Sequence, residues 1–556
     1  MKVAEVVVNI LEDEGIEVAF GIPGAAINPV YEYLGASQRI RHILARHEEG
    51  AVHAADGYFR ACGRLALAIC TSGPGATNFI TGLYTAQIDS IPLVAITGQN
   101  VRAQLAKEAF QCVDIASLAR QFCKATWCVT EPAQTPAILR RAFQVAREGR
   151  PGPVLIDLPL DVQLADIPFD SAVDARLPVH KPAPDSRQIE AALDLLLAAE
   201  RPVLIMGGGV VLAGAHAKFI EFAEYLALPV VTTYMATGGI PGNHALHVGH
   251  IGIQVGSPFG NRFFLDSDLV LGIGCRFNDR HTGKLDVYTR GRRFIHINIE
   301  PEHIGRIVPT ELGIVADAGL ALDALLANAR KRTPQRSPTA RVAAIPQQRA
   351  ALRRKTHYKE SPLKPQRIYE EINNHFGERT IFTTGCGLTQ IWSGQLQEIS
   401  RPCTYLASGG AGTLGFDLPA AIGAKAACPQ ETVVAVVGDG GFGFTVEELA
   451  MAVQHHLPVI VLIINNGYLS LIRQNQRYAY EYEYAVDLTY GGGGIDFVRL
   501  AEAFGAYGER VTKANDLRAA FTRAEQCGKP AVIDIVVERD TDASMGAALD
   551  AIREFV

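Results

Sequence analysis

The chain has 556 residues, of which 48% are hydrophobic and 20% charged, so it holds enough apolar material for several cores and is neither disordered nor fibrous. Its formal net charge of −6 argues against nucleic acid as a partner, because a phosphate backbone requires a basic surface. No stretch of about 18 uncharged apolar residues occurs, so we expect no contact with a membrane. The first ten residues include Lys2 and Glu5 and lack a signal-peptide pattern, which predicts a cytoplasmic protein.

The sequence divides into three α/β blocks, which we expect to be domains of residues 1–165, 187–328 and 365–540. The stretches between them, 167–186 and 329–364, are rich in Pro, Arg or Gln and are predicted to be linkers. Each block alternates helix-like stretches with short apolar runs, which are typical of strands buried on both faces of a parallel sheet. The predicted fold class is therefore α/β, with three doubly wound parallel-sheet domains.

The most informative motif lies in the third block. A strand-like run, Thr432–Val437, is followed by Gly438-Asp439-Gly440-Gly441, and the next such run, Val459–Ile464, is followed by Asn465-Asn466. Since doubly wound sheets bind ligands at the carboxyl ends of their strands, we expect the two polar clusters to lie together. Glycines allow backbone N–H groups to approach phosphate, and carboxylate and amide oxygens suit Mg²⁺. The spacing therefore predicts a phosphate and magnesium site, although a lone Gly-Asp-Gly would usually be a turn.

This spacing resembles the diphosphate-anchoring motif of thiamine-diphosphate enzymes. The first block contains Arg46-His47-Glu48-Glu49-Gly50-Ala51, which is similar to the acetohydroxyacid synthase group of that family. The resemblance implies thiamine diphosphate and Mg²⁺ as cofactors and Glu48 as the catalytic carboxylate that hydrogen-bonds the aminopyrimidine ring. Such a carboxylate exchanges a proton with the ring, so that the exocyclic nitrogen can accept the thiazolium proton. Without the resemblance, Glu48 would be interpreted as a solvated charge on a helix.

The resemblance extends through nearly the whole chain, including the segments 20–29, 71–78 and 409–415. It implies that Gln111 is an active-site amide and that Leu414 is the apolar wedge between the two cofactor rings. The other residues that it places at the thiamine cofactor are Pro74, Asn78, Cys386, Gly387, Leu388, Thr389, Gly412, Gly440, Gly441 and Tyr468. The implied magnesium ligands are Asp439, Asn466 and Tyr468, and the implied walls of the substrate pocket are Ala26, Leu469 and Ile472.

The second block resembles the FAD-binding domain of the same family. The residues that the resemblance places at the flavin are Arg150, Gly208, Gly209, Gly249, His250, Gly252, Gly274, Arg276, Asn298, Ile299, Asp317 and Ala318. No Gly-x-Gly-x-x-Gly fingerprint occurs in this block, so a domain that has lost its flavin remains an alternative. In this group the flavin is structural, and redox chemistry does not follow from its presence.

The implied substrate is a small 2-oxo acid, which is decarboxylated and joined to a second carbonyl compound. Acetohydroxyacid synthases usually have Lys at Leu160 and Met and Trp near Leu471 and Asn475, which argues against their acceptor specificity here. For two glyoxylates, the products would be tartronate semialdehyde and CO₂. Stretches that resemble the glyoxylate carboligases are 24–29, 42–47, 110–115, 280–283 and 468–474.

One residue departs from that subgroup. Glyoxylate carboligases usually have Val where this chain has Glu48, so acetolactate formation from two pyruvates stays open as an alternative. A 2-oxo acid decarboxylase is a second alternative, and a non-enzymic nucleotide-binding protein is a third. In the family the first block of one chain faces the third block of another, which implies at least a homodimer and favours a homotetramer.

Overall fold

The computed structural model describes residues 1–491 and 493–555, and within them the chain forms three six-stranded sheets in which all strand pairs are parallel. The α/β fold class and the three doubly wound sheets are thereby confirmed. A short antiparallel pair near the C-terminus consists of β19 (Met545–Gly546) and β20 (Ile552–Arg553).

The first sheet has the strand order β2-β1-β3-β4-β6-β5. Its strands are β1 (Val18–Gly21), β2 (Arg41–Leu44), β3 (Leu67–Cys70), β4 (Leu93–Gln99), β5 (Ala125–Cys128) and β6 (Pro153–Pro159). Its helices are α1 (Val3–Asp13), α2 (Asn28–Ala36), α3 (Glu48–Cys62), α4 (Pro74–Asp89), α5 (Ile115–Leu118), α6 (Thr135–Arg147) and α7 (Leu160–Gln163). The order reverses direction between β1 and β3, so ligand-binding residues are expected at the carboxyl ends of these two strands.

The second sheet has the order β12-β11-β10-β7-β8-β9, which is the 3-2-1-4-5-6 order of dinucleotide-binding sheets counted from β7. Its strands are β7 (Pro202–Met206), β8 (Val230–Thr232), β9 (His247–His250), β10 (Leu269–Ile273), β11 (Arg293–Asn298) and β12 (Leu312–Val315). Its helices are α8 (Ser186–Ala198), α9 (Gly208–Leu212), α10 (His216–Leu226), α11 (Pro258–Leu265), α12 (Asp279–Thr282), α13 (Leu285–Thr289) and α14 (Ala318–Arg332). The predicted second linker contains two short helices, α15 (Ala340–Ala343) and α16 (Ile345–Ala351).

The third sheet has the order β14-β13-β15-β16-β18-β17, the same order as the first sheet. Its strands are β13 (Ile381–Thr384), β14 (Tyr405–Ala407), β15 (Val433–Gly438), β16 (Ile460–Asn465), β17 (Tyr507–Val511) and β18 (Ala531–Val536). Its helices are α17 (Pro365–His375), α18 (Leu388–Leu396), α19 (Asp417–Ala427), α20 (Asp439–Phe442), α21 (Glu448–Gln454), α22 (Ser470–Asn475), α23 (Phe497–Ala503) and α24 (Leu517–Gln526). The switch point lies between β13 and β15.

The central strands are buried on both faces, as their unbroken apolar sequences predict. In β3, Leu67 and Ile69 pack into one core, whereas Ala68 and Cys70 pack into another. The second of these cores also contains alternate residues of β15 and β16, so the first and third sheets share one hydrophobic core. Among the described residues, no helix combines the length and hydropathy needed to span a bilayer.

Two helices join the first and third sheets by a close crossing. A Cβ atom on Gly57 of α3 would lie 2.2 Å from the carbonyl oxygen of Ala420, and one on Gly423 of α19 would lie 1.9 Å from that of Ala54. Side chains larger than hydrogen at these two positions would force the helices apart. The crossing therefore depends on glycine and holds the two sheets of one chain in contact.

Candidate active site

Glu48 is the first residue of α3 and lies beside the switch point of the first sheet. Its Oε2 accepts a hydrogen bond from the Asn78 side-chain amide at 2.8 Å. A Cβ atom on Gly75, near the start of α4, would lie 3.0 Å from Glu48 Oε1. The N-terminal ends of α3 and α4 therefore both lie near this carboxylate. His47 caps α3, its Nδ1 accepting from the backbone N–H of Glu49.

Other first-block residues predicted at the site surround the same sheet edge. A Cβ atom on Gly73 would lie 2.6 Å from Cβ of Gln111, so the loop that carries Gln111 packs against the turn before Pro74. Gln111 itself is exposed and has a φ of 57°, in the left-handed region. The carbonyl oxygen of Ala26 accepts from Gln163 at 2.7 Å, which fixes the loop after β1.

The carboxyl ends of β15 and β16 bring Asp439 and Asn466 to the same edge of the third sheet. Asp439 is 7% exposed and Asn466 is 6% exposed. Burial raises the pKa of the Asp439 carboxyl to about 7, while the nearby backbone amides of Asn466 and Gly467 lower it. A bound cation would favour the charged form of this carboxylate.

The oxygen ligands at this edge are suited to Mg²⁺. The carboxylate of Asp439 and the amide oxygen of Asn466 are hard donors, and the Tyr468 carbonyl lies on the same turn. In the structure the Asn466 amide oxygen accepts hydrogen bonds from the Tyr468 backbone N–H at 3.2 Å and from Ser470 Oγ at 2.8 Å. A cation would therefore replace one of these hydrogen bonds. The described residues include no cluster of three or more His, Cys, Asp or Glu side chains arranged for a metal.

The loops after β13 and β14 face the same edge. Gly387 has a φ of 120° and caps α18, whose first residues are Leu388 and Thr389, so a helix N-terminus suited to phosphate begins here. A Cβ atom on Gly412 would lie 3.5 Å from Cys386 Sγ, which shows that the two loops touch.

Apolar side chains lie close to the glycines of the Asp439 loop. A Cβ atom on Gly440 would lie 2.9 Å from Leu469, and one on Gly441 would lie 3.9 Å from Leu414. The structure thus brings both leucines to the predicted diphosphate loop. Ile472, the third predicted wall residue, lies on α22 and is 52% exposed.

The two predicted clusters make no direct polar contact with each other in the described part of the chain. No hydrogen bond or ion pair links Glu48, Asn78 or Gln111 to Asp439 or Asn466 anywhere in residues 1–491 and 493–555. The first and third sheets contact each other through α3 and α19 instead, on the faces that carry the shared core.

A cavity of about 920 Å³ lies at the switch point of the second sheet, between β7 and β10. This volume is at the upper end of the range for ligand pockets. The strand ends come very close, because a Cβ atom on Gly207 would lie 2.2 Å from the Gly274 carbonyl oxygen. The predicted flavin residues that line the cavity are Arg150, Gly208, Gly209, Gly274, Arg276, Asn298, Ile299, Asp317 and Ala318.

Three further predicted flavin residues do not line this cavity. Gly249 and His250 end β9, where the His250 ring bonds Thr232 Oγ1 at 2.8 Å. Gly252 is held by Asn261, which bonds both its N–H and its carbonyl oxygen at 3.0 Å. Their neighbour Ile251 lines the cavity.

The lining of the cavity suits an anionic ligand. Arg150 bonds Ser90 Oγ at 2.8 Å and has a pKa lowered to about 10 by burial and by the neighbouring Arg276. Arg276 lines the cavity and makes no hydrogen bond or ion pair within the described part of the chain. The Nδ1 atoms of His281 and His303 are buried there without partners. Cationic and unpartnered polar groups of this kind fit the diphosphate and polar ring atoms of a dinucleotide.

Two buried carboxylates near the clusters were not predicted from the sequence. Asp417 accepts a short hydrogen bond from the backbone N–H of Gly385, in the loop of Cys386, and burial raises its pKa to about 7. Burial also raises the pKa of the Glu448 carboxyl to about 7, and this side chain contacts the segment before Glu48. The only sequence signal for Glu448 is a pair of adjacent acids, Glu447 and Glu448, at the start of an apolar helical stretch.

Comparison with known protein families agrees with this geometry. Residues 1–118, 189–325 and 385–535 match, in turn, the N-terminal TPP binding domain, the central domain and the C-terminal TPP binding domain of thiamine pyrophosphate enzymes. Together these segments cover more than half of the chain. The chain therefore belongs to the thiamine pyrophosphate enzyme family, which confirms the resemblance and thiamine diphosphate as the cofactor.

Individual relatives cover the whole length. The chain is 45% identical to glyoxylate carboligase of Escherichia coli O157:H7, over 100% of this chain and 96% of that protein. It is 41% identical to the acetolactate synthase large subunit of Corynebacterium glutamicum, over 97% of this chain and 87% of that protein. It is 36% identical to a probable acetolactate synthase large subunit of Methanococcus aeolicus, over 100% of this chain and 96% of that protein.

Proposed function

We propose that the protein is a thiamine-diphosphate-dependent carboligase that converts two molecules of glyoxylate to tartronate semialdehyde and CO₂. The observation that carries the reaction class is the placement of Glu48 at the switch point of one sheet and of Asp439 with Asn466 at that of another. The choice of glyoxylate is supported by 45% identity to a glyoxylate carboligase over the full chain.

Bound thiamine diphosphate supplies an electron sink for decarboxylation. The protein residues orient it and control protons and water. Glu48, oriented by Asn78, would exchange a proton with the aminopyrimidine ring. Leu414 and Leu469 would exclude water from the reacting carbons, which favours loss of a charged carboxylate as neutral CO₂.

We also propose Mg²⁺ as the second cofactor at this site. Asp439, the Asn466 amide oxygen and the Tyr468 carbonyl would hold the ion against the diphosphate. The N-terminus of α18, with Gly387 and Leu388, would supply backbone N–H groups to the phosphate oxygens.

The active site is proposed to form between two chains. Among the described residues no hydrogen bond or ion pair links Glu48 to Asp439, whereas a single thiamine diphosphate must reach both. A two-fold pairing would bring the first sheet of each chain against the third sheet of its partner and create two equivalent sites. A homodimer is therefore the smallest active unit that we propose, and a homotetramer is its natural extension.

We further propose that the cavity of the second sheet holds FAD in a structural role. Arg276 is expected to pair with the diphosphate of the dinucleotide. The Arg276→Ala variant should bind FAD about 10–100-fold more weakly, the range for losing a hydrogen bond to a charged group.

FAD binding can be measured from the flavin released on heat denaturation and by titration of stripped protein. Arg290→Ala is the matched control, because the Arg290 side chain is 72% exposed and, within the described part of the chain, pairs with Asp286 alone. Equal flavin affinity in both variants would contradict the proposed pairing of Arg276. Absence of any flavin binding in the unaltered protein would contradict the proposal for the cavity.

The substrate is tested by incubating the holoenzyme with glyoxylate, with pyruvate, or with both, and identifying the products by NMR. We expect tartronate semialdehyde and CO₂ from glyoxylate, at a kcat/KM at least about 10-fold above that for pyruvate, since one methyl group in a pocket changes selectivity by about this amount. Acetolactate as the main product would instead establish the second candidate function. Free aldehyde without ligation would indicate a decarboxylase.

Acetolactate synthesis remains the second candidate because of Glu48, the residue at which the chain departs from the glyoxylate carboligase pattern. Relatives at 41% and 36% identity are acetolactate synthase subunits. Against this candidate, Leu160 stands where acetohydroxyacid synthases usually have Lys. The same product analysis decides between the two.

A further inference from the structure

Helix α21 of the third block lies against the segment of the first block that leads into Glu48. Glu448 Oε1 accepts from the backbone N–H of His47 at 2.9 Å, and its two oxygens accept from that of Arg46 at 3.2 and 3.1 Å. Just beyond the helix, His455 Nε2 accepts from the backbone N–H of Leu44 at 2.8 Å. The backbone before Glu48 is therefore held at three successive points by side chains that are some 400 residues away.

The Glu448 carboxylate is built into this position. It is 0% exposed, and a Cβ atom on Gly50 would lie only 2.1 Å from its Oε1, so glycine is needed opposite it. No Lys, Arg or His forms an ion pair with it in the part of the chain that the structure describes. Its partners are instead backbone N–H groups at the N-terminus of α3, where a carboxylate is stabilised by the helix dipole.

These contacts determine where Glu48 can point. Arg46 and His47 are the two residues immediately before Glu48, and the direction of a side chain in the first helical turn follows the backbone there. A displacement of about 1 Å in a reacting group can cost about 100-fold in rate. Among the described residues the Glu48 side chain has one hydrogen bond, from Asn78, which leaves much of its orientation to the backbone.

We propose that Glu448 is a positioning residue for Glu48. It clamps the Arg46–His47 backbone so that the Glu48 carboxylate meets the aminopyrimidine ring of the bound cofactor. This inference rests on the proposed role of Glu48. The helix that carries Glu448, α21, follows the Asp439 loop in the same chain after the turn 443–447.

The test is the exchange rate of the thiazolium C2 proton of bound thiamine diphosphate in D₂O, measured by acid quench and proton NMR without substrate. Glu448→Ala removes both acceptors, and Glu448→Asp withdraws the carboxylate by one methylene. Both should slow exchange about 10–100-fold while cofactor affinity and the unfolding temperature change little by comparison. Glu448→Gln keeps an oxygen of the same reach, which can accept from both N–H groups, so it should restore most of the rate.

Glu447→Ala is the matched control, since Glu447 is the adjacent carboxylate and its side chain makes no hydrogen bond among the described residues. If Glu448→Ala does not fold, Glu448→Asp and Glu448→Gln still make the comparison. Exchange that is as fast in Glu448→Asp as in Glu447→Ala would overturn the positioning role. Exchange that is unaffected by Glu48→Gln would instead overturn the proposed role of Glu48, so the two failures are distinguishable.

Discussion

Glu48→Gln is expected to keep the fold and to lower turnover by about 10²–10⁴-fold, the range for a positioned proton-transfer group. Glutamine has nearly the same shape, and its side-chain oxygen can still accept the 2.8 Å hydrogen bond from Asn78. It cannot exchange a proton at neutral pH, so the loss isolates the acid–base role from packing. The measurement is kcat with saturating thiamine diphosphate and Mg²⁺, with thermal unfolding as the check on the fold.

Glu49→Gln is the control for Glu48→Gln. Glu49 is the next residue of the same helix, and its carboxylate lies 3.3 Å from His53 Nε2, away from Asn78. We expect its turnover to stay within a few-fold of the unaltered enzyme. A Glu48→Gln enzyme as active as this control would show that the catalytic proton passes through another group.

Asp439→Ala should weaken cofactor binding by at least about 10–100-fold, because even residues that only support a metal ligand change metal affinity by that amount. The substitution removes the buried carboxylate that follows β15, so that the Asn466 amide oxygen would have to hold the cation without it. Titrating the apo-protein with thiamine diphosphate at several Mg²⁺ concentrations gives the affinity for thiamine diphosphate and the affinity for Mg²⁺. Excess Mg²⁺ should recover part of the loss.

Asp323→Ala provides the comparison for Asp439→Ala, since Asp323 is a half-exposed surface residue that pairs with Lys218. Mixing Glu48→Gln chains with Asp439→Ala chains then tests the two-chain site. A hybrid dimer would contain one site with both changes and one with neither, so random mixing should restore activity at about a quarter of the sites. No recovery after verified chain exchange would contradict a site shared between chains.

Local sequence patterns were sufficient to predict two central strands of the third sheet, β15 and β16. The run Thr432–Val437 became β15 (Val433–Gly438), and Val459–Ile464 became β16 (Ile460–Asn465), each displaced by one residue. An unbroken apolar run that ends in Gly or Asn is a local signal, and burial on both faces of a parallel sheet is its direct consequence. Placing Asp439 beside Asn466 required only that these two strands be neighbours.

The central block shows where local patterns failed. Without a glycine fingerprint, the sequence could not reveal the 3-2-1-4-5-6 strand order, which depends on pairing between β7 and β10, separated by more than 60 residues. The sequence also could not show that Gly274 lines the cavity and contacts the backbone of Gly209, whereas Gly249 does not line it. Both are glycines in apolar surroundings, and only the packed backbone distinguishes them.

The sequence by itself thus determined the α/β class and the thiamine-diphosphate family, and it predicted Glu48, Asp439 and Asn466 as site residues, because each depends on residue types at short, regular spacing. Only the tertiary structure decided that the Glu448 carboxylate accepts from the backbone N–H groups of Arg46 and His47, just before Glu48. Those contacts join residues some 400 positions apart. They follow from how α3 and α21 pack around the shared core, and no spacing within either segment encodes that packing.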